Sequence, residues 1–417
     1  MGHLVRGVVN VLLSSGLAAG LGFSFWILAA RLLPAREVGQ ASALTAAMND
    51  LSVLCQLNLG NAIVRFLPSA RRDPGRLLLA AYGASVLMTF VFATGFVVLV
   101  PHVAHNFRFL EQGWILQVGF VAAVSIWGVS VLQDSALVAF RRTAWIPFES
   151  AAYGILKIAC LLLLIAIGVG HSAWVAAVLP AAALTIPVNW LIFRRIVPHW
   201  QATRAERPTP PPFDRERVRR FLVRDLSGTL VAQIAYPLLP LLALGLLGSR
   251  EAAYFAIPFF AVNGLEAILI LATTPLVVEG ALTPANLARL TRRMLWLFMV
   301  VTVPGVVVLV LAAPLVLASF GADYADHGVV TLRLLALACL PRALIFLAVA
   351  VFRVEGDGRR IQATFLATLV IGVGSAVPLA QHYGIAGIAS GWLAGSTAVG
   401  IAVIPRLLRA VRASPRT

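Results

Sequence analysis

Charged and amide side chains recur inside long apolar runs of this sequence, at spacings that bring them to one side of a helix. On a helical wheel of 3.6 residues per turn, four residues near the start of the chain fall within about 80° of one another: Asp50, Asn58, Asn61 and Arg65. Ionisable groups are costly in hydrocarbon, so they normally face a protein interior or water. Their chemistry is ion pairing, hydrogen bonding to a polar solute, or cation binding. The spacing therefore predicts a polar lining rather than the ragged end of an apolar segment.

Similar residues interrupt later apolar runs. Asn263 and Glu266 share a helix face, while Lys157 follows Glu149 and Tyr153 along another. The other deep ionisable residues are Asp134, Arg224, Asp225, Arg333 and Arg342. Two plainer interpretations stay open. Residues close to a helix end can extend into the lipid headgroups, and buried charges can form structural pairs, for instance Lys157 with Asp134.

The composition places these residues in a membrane. Hydrophobic residues make up 60% of the 417 residues and charged residues only 12%, against about 25% charged in soluble domains. The net charge of +16 favours an anionic lipid leaflet rather than nucleic acid, because the arginines punctuate apolar runs instead of forming a soluble face. No phosphate-binding glycine motif and no metal-ligand spacing occur, so we expect no cofactor and no metal.

Apolar segments of about 20 residues predict membrane-spanning helices. Twelve are found, at 9–31, 37–60, 76–100, 114–139, 151–170, 174–194, 222–247, 252–278, 294–318, 329–352, 361–381 and 384–404. With the N-terminus in the cytoplasm, most of the 33 basic residues fall in cytoplasmic segments, and the outer loops hold only Arg31, Arg36, Arg108 and Arg250. The sequence therefore predicts a multi-pass protein of the cytoplasmic membrane with both termini in the cytoplasm.

The chain also resembles itself. "LLPAREVGQASALTAAMN" at 32–49 matches "LLGSREAAYFAIPFFAVN" at 246–263 without gaps. The longest polar interruption is a stretch rich in proline and arginine. We therefore predict an N-terminal half at 1–200, a cytoplasmic linker at 201–220 and a C-terminal half at 221–417. Six spans in each half give both copies the same polarity in the membrane, with a cavity between them.

Three motifs carry a family resemblance: "ILAARLLPAREVGQASAL" at the end of the first span, "LGNAIVRFLP" at the end of the second and "VEGDGRR" before the eleventh. The chain resembles the polysaccharide-exporting branch of the multidrug/oligosaccharidyl-lipid/polysaccharide (MOP) exporter superfamily, the Wzx-type flippases. The resemblance implies an all-α membrane protein of twelve helices, arranged in two parallel six-helix halves around a central cavity. It also implies alternating access and the movement of an undecaprenyl-linked sugar across the cytoplasmic membrane.

The resemblance suggests roles for the intramembrane residues. The candidates for contact with a phosphate or sugar are Arg65, Lys157, Arg224, Arg333, Asn58, Asn61 and Asn263. The candidates for gating or for coupling to H⁺ or Na⁺ are Asp50, Asp134, Asp225 and Glu266. The expected partners are a polyprenyl-linked glycan or another amphipathic substrate, membrane lipids and polysaccharide-assembly proteins, without nucleic acid.

Other functions stay open at this point. Because the deep charges have mixed signs, a drug/cation antiporter of the same superfamily is the main alternative. A lipid II flippase ranks lower, since that branch usually has fourteen spans. A membrane-embedded enzyme of envelope synthesis also ranks lower, because the outer loops are too short to hold a catalytic cluster. We expect no catalytic residues.

Overall fold

A computed structural model describes most of the chain, over residues 20–56, 59–67, 73–202, 238–282 and 287–412. Within these ranges nearly every residue is helical and no strand is present. The contacts divide the described residues into two compact units. Unit 1 comprises residues 20–29 and 44–202, and unit 2 comprises residues 30–43 and 238–412. The predicted domain boundaries remain a prediction.

The first part of the chain is a succession of apolar helices. In chain order they are α1 (Gly20–Leu32), α2 (Ala35–Cys55), α3 (Leu59–Phe66), α4 (Pro74–Val103), α5 (Trp114–Ala139), α6 (Trp145–Ala166), α7 (Ser172–Leu191) and α8 (Val197–Ala202). A 3₁₀ helix, His105–Gln112, joins α4 to α5, and a π-helical turn, Ile192–Ile196, joins α7 to α8.

The second part continues in the same way. Its helices are α9 (Leu238–Leu247), α10 (Ser249–Leu282), α11 (Leu287–Ala318), α12 (Ala322–Glu355) and α13 (Gly358–Arg412). The longest of them, α13, is two spans joined at Gly384, whose φ of 57° and ψ of −137° are not helical. The break predicted between the last two spans is therefore present.

The predicted spans agree with these helices. Each of the twelve coincides with a helix over the residues that the structure describes. Among the described residues, seven helical stretches are long and apolar enough to cross a membrane, and α1 and α9 are shorter apolar helices. The all-α membrane fold expected from the sequence is thus confirmed.

The prediction that the residues from Asp50 to Arg65 follow a single helical wheel needs a correction. It assumed one unbroken helix, but α2 ends at Cys55, and α3 begins at Leu59, whose N–H donates to the carbonyl of Gln56 at 2.7 Å. The side-chain directions before and after this break therefore do not follow one wheel.

Short-range chemistry explains the turn "VEGDGRR". Gly356 ends α12 with a left-handed φ of 74°, a conformation that costs a glycine little. The Asp357 carboxylate then accepts from the N–H of Arg360 at 3.1 Å and caps the start of α13. Glu355 accepts from Arg406 at 2.7 Å, which ties the far end of α13 back to this turn.

Two glycine contacts set helix spacing in unit 2. A Cβ added at Gly391 would lie 2.4 Å from the Cα of Ala376, so the two spans within α13 touch backbone to backbone. A Cβ at Gly39 would lie 1.7 Å from the carbonyl oxygen of Ser249 and 3.0 Å from the N of Ala253. Ala253 is the residue that the sequence repeat aligns with Gly39, so the two copies of the repeat meet at equivalent positions.

Candidate functional site

Several candidate residues have no described side chain. Asn58, Arg224 and Asp225 lie outside the described residues, and only the backbone of Asn61 and Arg65 is described, within α3. Their roles stay predictions. The remaining candidates fall into two groups, one in each unit.

In unit 2, Glu266 on α10 and Arg342 on α12 form a buried ion pair, with side chains 5% and 10% exposed. The Nη2 of Arg342 donates to Glu266 Oε2 at 2.8 Å, and its Nε faces the other carboxylate oxygen. The guanidinium carbon lies 5.1 Å from the ring centroid of Phe346 and 5.0 Å from that of Trp392 on α13. Charge and cation–π contacts therefore join three helices.

The other two candidate site residues of unit 2, Asn263 and Arg333, do not take part in this ion pair. Asn263 is half-buried on α10, one turn before Glu266. Arg333 is exposed on α12, where its Nε donates to the carbonyl of Val310 at 3.1 Å. The cation that meets Glu266 is thus Arg342, which the sequence placed among the deep charges without choosing it as a site residue.

In unit 1, Lys157 on α6 lies among aromatic rings. Its Nζ is 3.9 Å from the ring centroid of Phe25, 5.6 Å from that of Trp26 and 5.7 Å from that of Tyr153. The residue is 7% exposed, and no ion pair joins it to another described residue. The alternative pairing with Asp134 is therefore not formed.

Lys157 has a further property that the sequence already contained. It is the only lysine of the chain, and every other basic residue is an arginine. A lysine ammonium is a compact charge that fits a small aromatic enclosure and can lose its proton, whereas the arginine guanidinium is a wide, permanently charged fork.

A chain of polar side chains connects α5, α6 and α7 of unit 1. Gln133 on α5 donates through Nε2 to Oε1 of Glu149 on α6, and its Oε1 accepts from Nδ2 of Asn189 on α7 at 2.7 Å. Nearby, the hydroxyls of Ser130 and Thr185 are 2.6 Å apart. Gln133 is fully buried, whereas Glu149 and Asn189 are half-buried.

Asp134 lies next to Gln133 on α5, within electrostatic range of Glu149 and of the Tyr82 hydroxyl on α4. Tyr82 also belongs to an apolar cluster that includes Leu78, Leu132 and Ile192. The acids of this region therefore sit beside a tightly packed hydrophobic layer.

Asp50 is half-buried on α2. Two of its neighbours hold α2 against α5: Ser52 donates to the carbonyl of Val124 at 3.0 Å, and Gln56 donates to that of Gly128 at 3.3 Å. No ion pair joins Asp50 to another residue in the described part of the chain.

Sequence reasoning did not select Gln133, Asn189, Tyr82 or Trp392. The available signal was weak: an amide, a phenol or an indole inside an apolar run, without a charge. The π-helical turn that follows Asn189 has no sequence signature of its own, although such turns are frequent at functional sites.

Known proteins resemble this chain in part of its sequence and in its fold. Residues 4–209 match a family model described as "Polysaccharide biosynthesis protein". None of the curated proteins matches the chain significantly.

Solved structures match over almost the whole chain. A multidrug resistance MATE family transporter of the MOP superfamily, in its inward-facing conformation, has a TM-score of 0.68 at 17% identity and covers 97% of this chain and 98% of its own. An outward-facing MATE transporter has a TM-score of 0.64 at 14% identity, covering 98% and 95%. A MOP superfamily transporter from Pyrococcus furiosus has a TM-score of 0.64 at 14% identity, covering 99% and 96%.

At these identities the structural matches establish the fold, and the family model adds a match of sequence over the first part of the chain. Both support the resemblance inferred from the three motifs: the fold is that of MOP superfamily transporters, and residues 4–209 are similar in sequence to a polysaccharide biosynthesis family.

Proposed function

We propose that this membrane transporter is a flippase that moves a polyprenyl-linked oligosaccharide across the cytoplasmic membrane by alternating access. The observation that supports this most is the buried cation Lys157, which has aromatic neighbours and no acidic partner among the described residues. The polysaccharide biosynthesis family that matches residues 4–209 supports the choice of a glycan as cargo.

Lys157 suits a negatively charged ligand. Aromatic rings stabilise a buried ammonium by about 2 kcal/mol, which offsets only part of the cost of dehydrating it. A phosphate group would offset much of the rest through charge-assisted hydrogen bonds. Arg65, Arg224 and Arg333 are the further candidate contacts for phosphate, and Asn58, Asn61 and Asn263 are those for sugar hydroxyls.

The proposal includes the setting of the transporter. Both termini lie in the cytoplasm, and the energy comes from a gradient of H⁺ or Na⁺, with Asp50, Asp134, Asp225 and Glu266 as candidate coupling or gating groups. The chain acts on its substrate without chemical conversion, next to the proteins that assemble the polysaccharide.

Removing the gene tests this function. We expect a lipid-linked glycan intermediate to accumulate on the inner leaflet, and Lys157→Met to reproduce this accumulation in complemented cells. Lys157→Arg keeps the charge but not the compact shape and should restore transport only in part. Arg76→Ala, at the exposed start of α4, is the control for loss of a cation and should transport normally. Full transport by Lys157→Met would contradict the role of Lys157, and an unchanged lipid-linked pool would contradict the function.

The second candidate is a small-molecule or cation antiporter. Its support is the fold shared with multidrug resistance MATE transporters. Vesicles containing the purified chain distinguish the two: uptake of a cationic dye driven by an ion gradient, without effect on a fluorescent lipid-linked glycan, would favour the antiporter.

A further inference from the structure

Two copies of the tripeptide Phe-Arg-Arg lie in unit 1, at residues 140–142 after α5 and at 193–195 in the π-helical turn after α7. Phe140 is buried, and its ring centroid lies 5.3 Å from that of Trp200 on α8. Phe193 packs against the apolar cluster that contains Phe140. Because both phenylalanines anchor in one cluster, the arginine pairs that follow them lie at the same end of unit 1.

The charges of these arginines are not compensated by any described acid. All four are exposed, and none forms an ion pair with another described residue: Arg141, Arg142, Arg194 and Arg195. At the turn between α12 and α13 of unit 2, by contrast, Glu355 pairs with both Arg360 and Arg406. This end of unit 1 therefore presents positive charge to an anionic partner from outside the chain.

Helices α6 and α7 each expose an apolar stripe that ends in a tryptophan at this end of unit 1. The exposed side chains are Trp145, Phe148, Ile155 and Leu163 on α6, and Leu179, Ile186 and Trp190 on α7. At 100° per residue each set stays within about 80° of the helix circumference. Apolar faces of this kind contact acyl chains, and tryptophan is enriched where the hydrocarbon meets the headgroups. Both stripes therefore reach the headgroup layer beside the arginine pairs.

The arginines adjoin these tryptophans directly. The N–H of Trp145 donates to the carbonyl of Arg142 at 3.2 Å, and Arg194 follows Trp190 by about one helical turn. Helices α6 and α7 pack against each other, so the two stripes belong to neighbouring helices. An acidic protein in solution would need the arginines but not the apolar stripes, whereas a lipid with an anionic headgroup uses both.

We propose that Arg142 and Arg194, together with Trp145 and Trp190, bind the phosphate headgroup of one anionic glycerophospholipid, whose acyl chains lie along the exposed stripes of α6 and α7. The guanidinium fork suits phosphate oxygens, which it can contact with two hydrogen bonds at once. The other two arginines of the motifs add to the positive potential at the headgroup. Lys157 lies buried on another face of α6, so the inference does not depend on the cargo proposed above.

Native mass spectrometry of the purified full chain tests the headgroup preference. The chain is mixed with phosphatidylglycerol or with phosphatidylcholine, and the affinity for the first bound lipid is compared. We expect phosphatidylglycerol to bind at least about tenfold more tightly, because its headgroup carries the net negative charge that the arginines attract. The double variant Arg142→Gln with Arg194→Gln should lose this preference.

A second double variant, Arg76→Gln with Arg359→Gln, is the matched control for the lost charge. Arg76 lies at the start of α4 and is already paired with Asp73, with 3.0 Å between Nε and Oδ2. Arg359 is exposed at the start of α13 in unit 2. Because neither arginine adjoins the stripes of α6 and α7, the control should keep the preference for phosphatidylglycerol.

Tryptophan fluorescence locates the lipid independently, which keeps the test valid even if the arginine variants fold poorly. Phosphatidylglycerol with brominated acyl chains quenches only the indoles that lie close to it. We expect Trp145→Phe to remove a large part of the quenching seen at low lipid concentration. Trp114→Phe removes an exposed tryptophan at the start of α5, at the opposite end of unit 1, and should leave this quenching in place.

Four results would overturn the inference. The unmodified chain could bind the two lipids equally, or the two double arginine variants could lose the preference to the same extent, which would reduce it to an effect of total charge. Trp114→Phe could lower the quenching as much as Trp145→Phe does, which would place the lipid elsewhere. Finally, inorganic phosphate alone could displace phosphatidylglycerol, which would make free phosphate the ligand.

Discussion

In unit 2 the buried carboxylate of Glu266 faces the guanidinium of Arg342 directly. In unit 1, by contrast, no described lysine or arginine forms an ion pair with Asp134 or Glu149. Lys157, in the same unit, has aromatic neighbours instead of an acid. An ion pair whose charges already compensate each other gains little free energy from binding a further ion, whereas an uncompensated buried charge favours binding one. In unit 2 the buried charges thus compensate each other and join helices, whereas in unit 1 no described ion pair compensates the buried charges.

The largest effect is expected from breaking the pair in unit 2. Arg342→Met leaves the Glu266 carboxylate buried without a counter-charge, and removing one partner of such a pair costs about 3–5 kcal/mol. The midpoint of unfolding of the purified protein in detergent should fall sharply. The double variant Glu266→Gln with Arg342→Met should recover much of the loss. A single variant as stable as the unmodified chain would show that the pair is not structural.

A smaller loss is expected where unit 2 packs backbone against backbone. Gly391→Ala places a Cβ 2.4 Å from the Cα of Ala376, so the two spans of α13 must separate, at about 1–3 kcal/mol. Gly374→Ala is the matched control on the same helix, since an added Cβ there meets nothing within 4 Å. Equal unfolding midpoints for the two variants would contradict the close packing.

Lys157→Met should affect stability less than Arg342→Met does. The variant loses cation–π contacts worth about 2 kcal/mol, but it also removes an unpaired buried amine and leaves no acid behind. We therefore expect a nearly unchanged unfolding midpoint together with lost transport. A loss of stability as large as that of Arg342→Met would mean that both units bury their charges for structural reasons.

The helices were predictable from the sequence because span length and apolarity depend on local composition. The break near Gly384 and the close contact at Gly391 were predictable for a similar reason, since glycine in an apolar run has few other uses. The break between α2 and α3 was not, because no proline or glycine lies between Cys55 and Leu59.

The residues that pair with the buried charges could be identified only from the structure. Arg333 and Arg342 lie on one helix about 180° apart at about 100° per residue, so only one of them faces α10, and periodicity alone does not say which. Gln133 meets residues 16 and 56 positions away. Such contacts depend on how helices pack, which one sequence does not reveal.

The smallest expected effect is a difference in stability between two tyrosine variants of unit 1. Tyr153→Phe removes a hydrogen bond to the Ala177 carbonyl and leaves that acceptor unpaired, which should lower the free energy of unfolding by about 1 kcal/mol. Tyr82→Phe removes a hydroxyl that makes no hydrogen bond, so the same measurement should show no loss. If Tyr82→Phe were destabilised as much as Tyr153→Phe, the Tyr82 hydroxyl would have a structural partner, and unit 1 would resemble unit 2 more closely than its charges indicate.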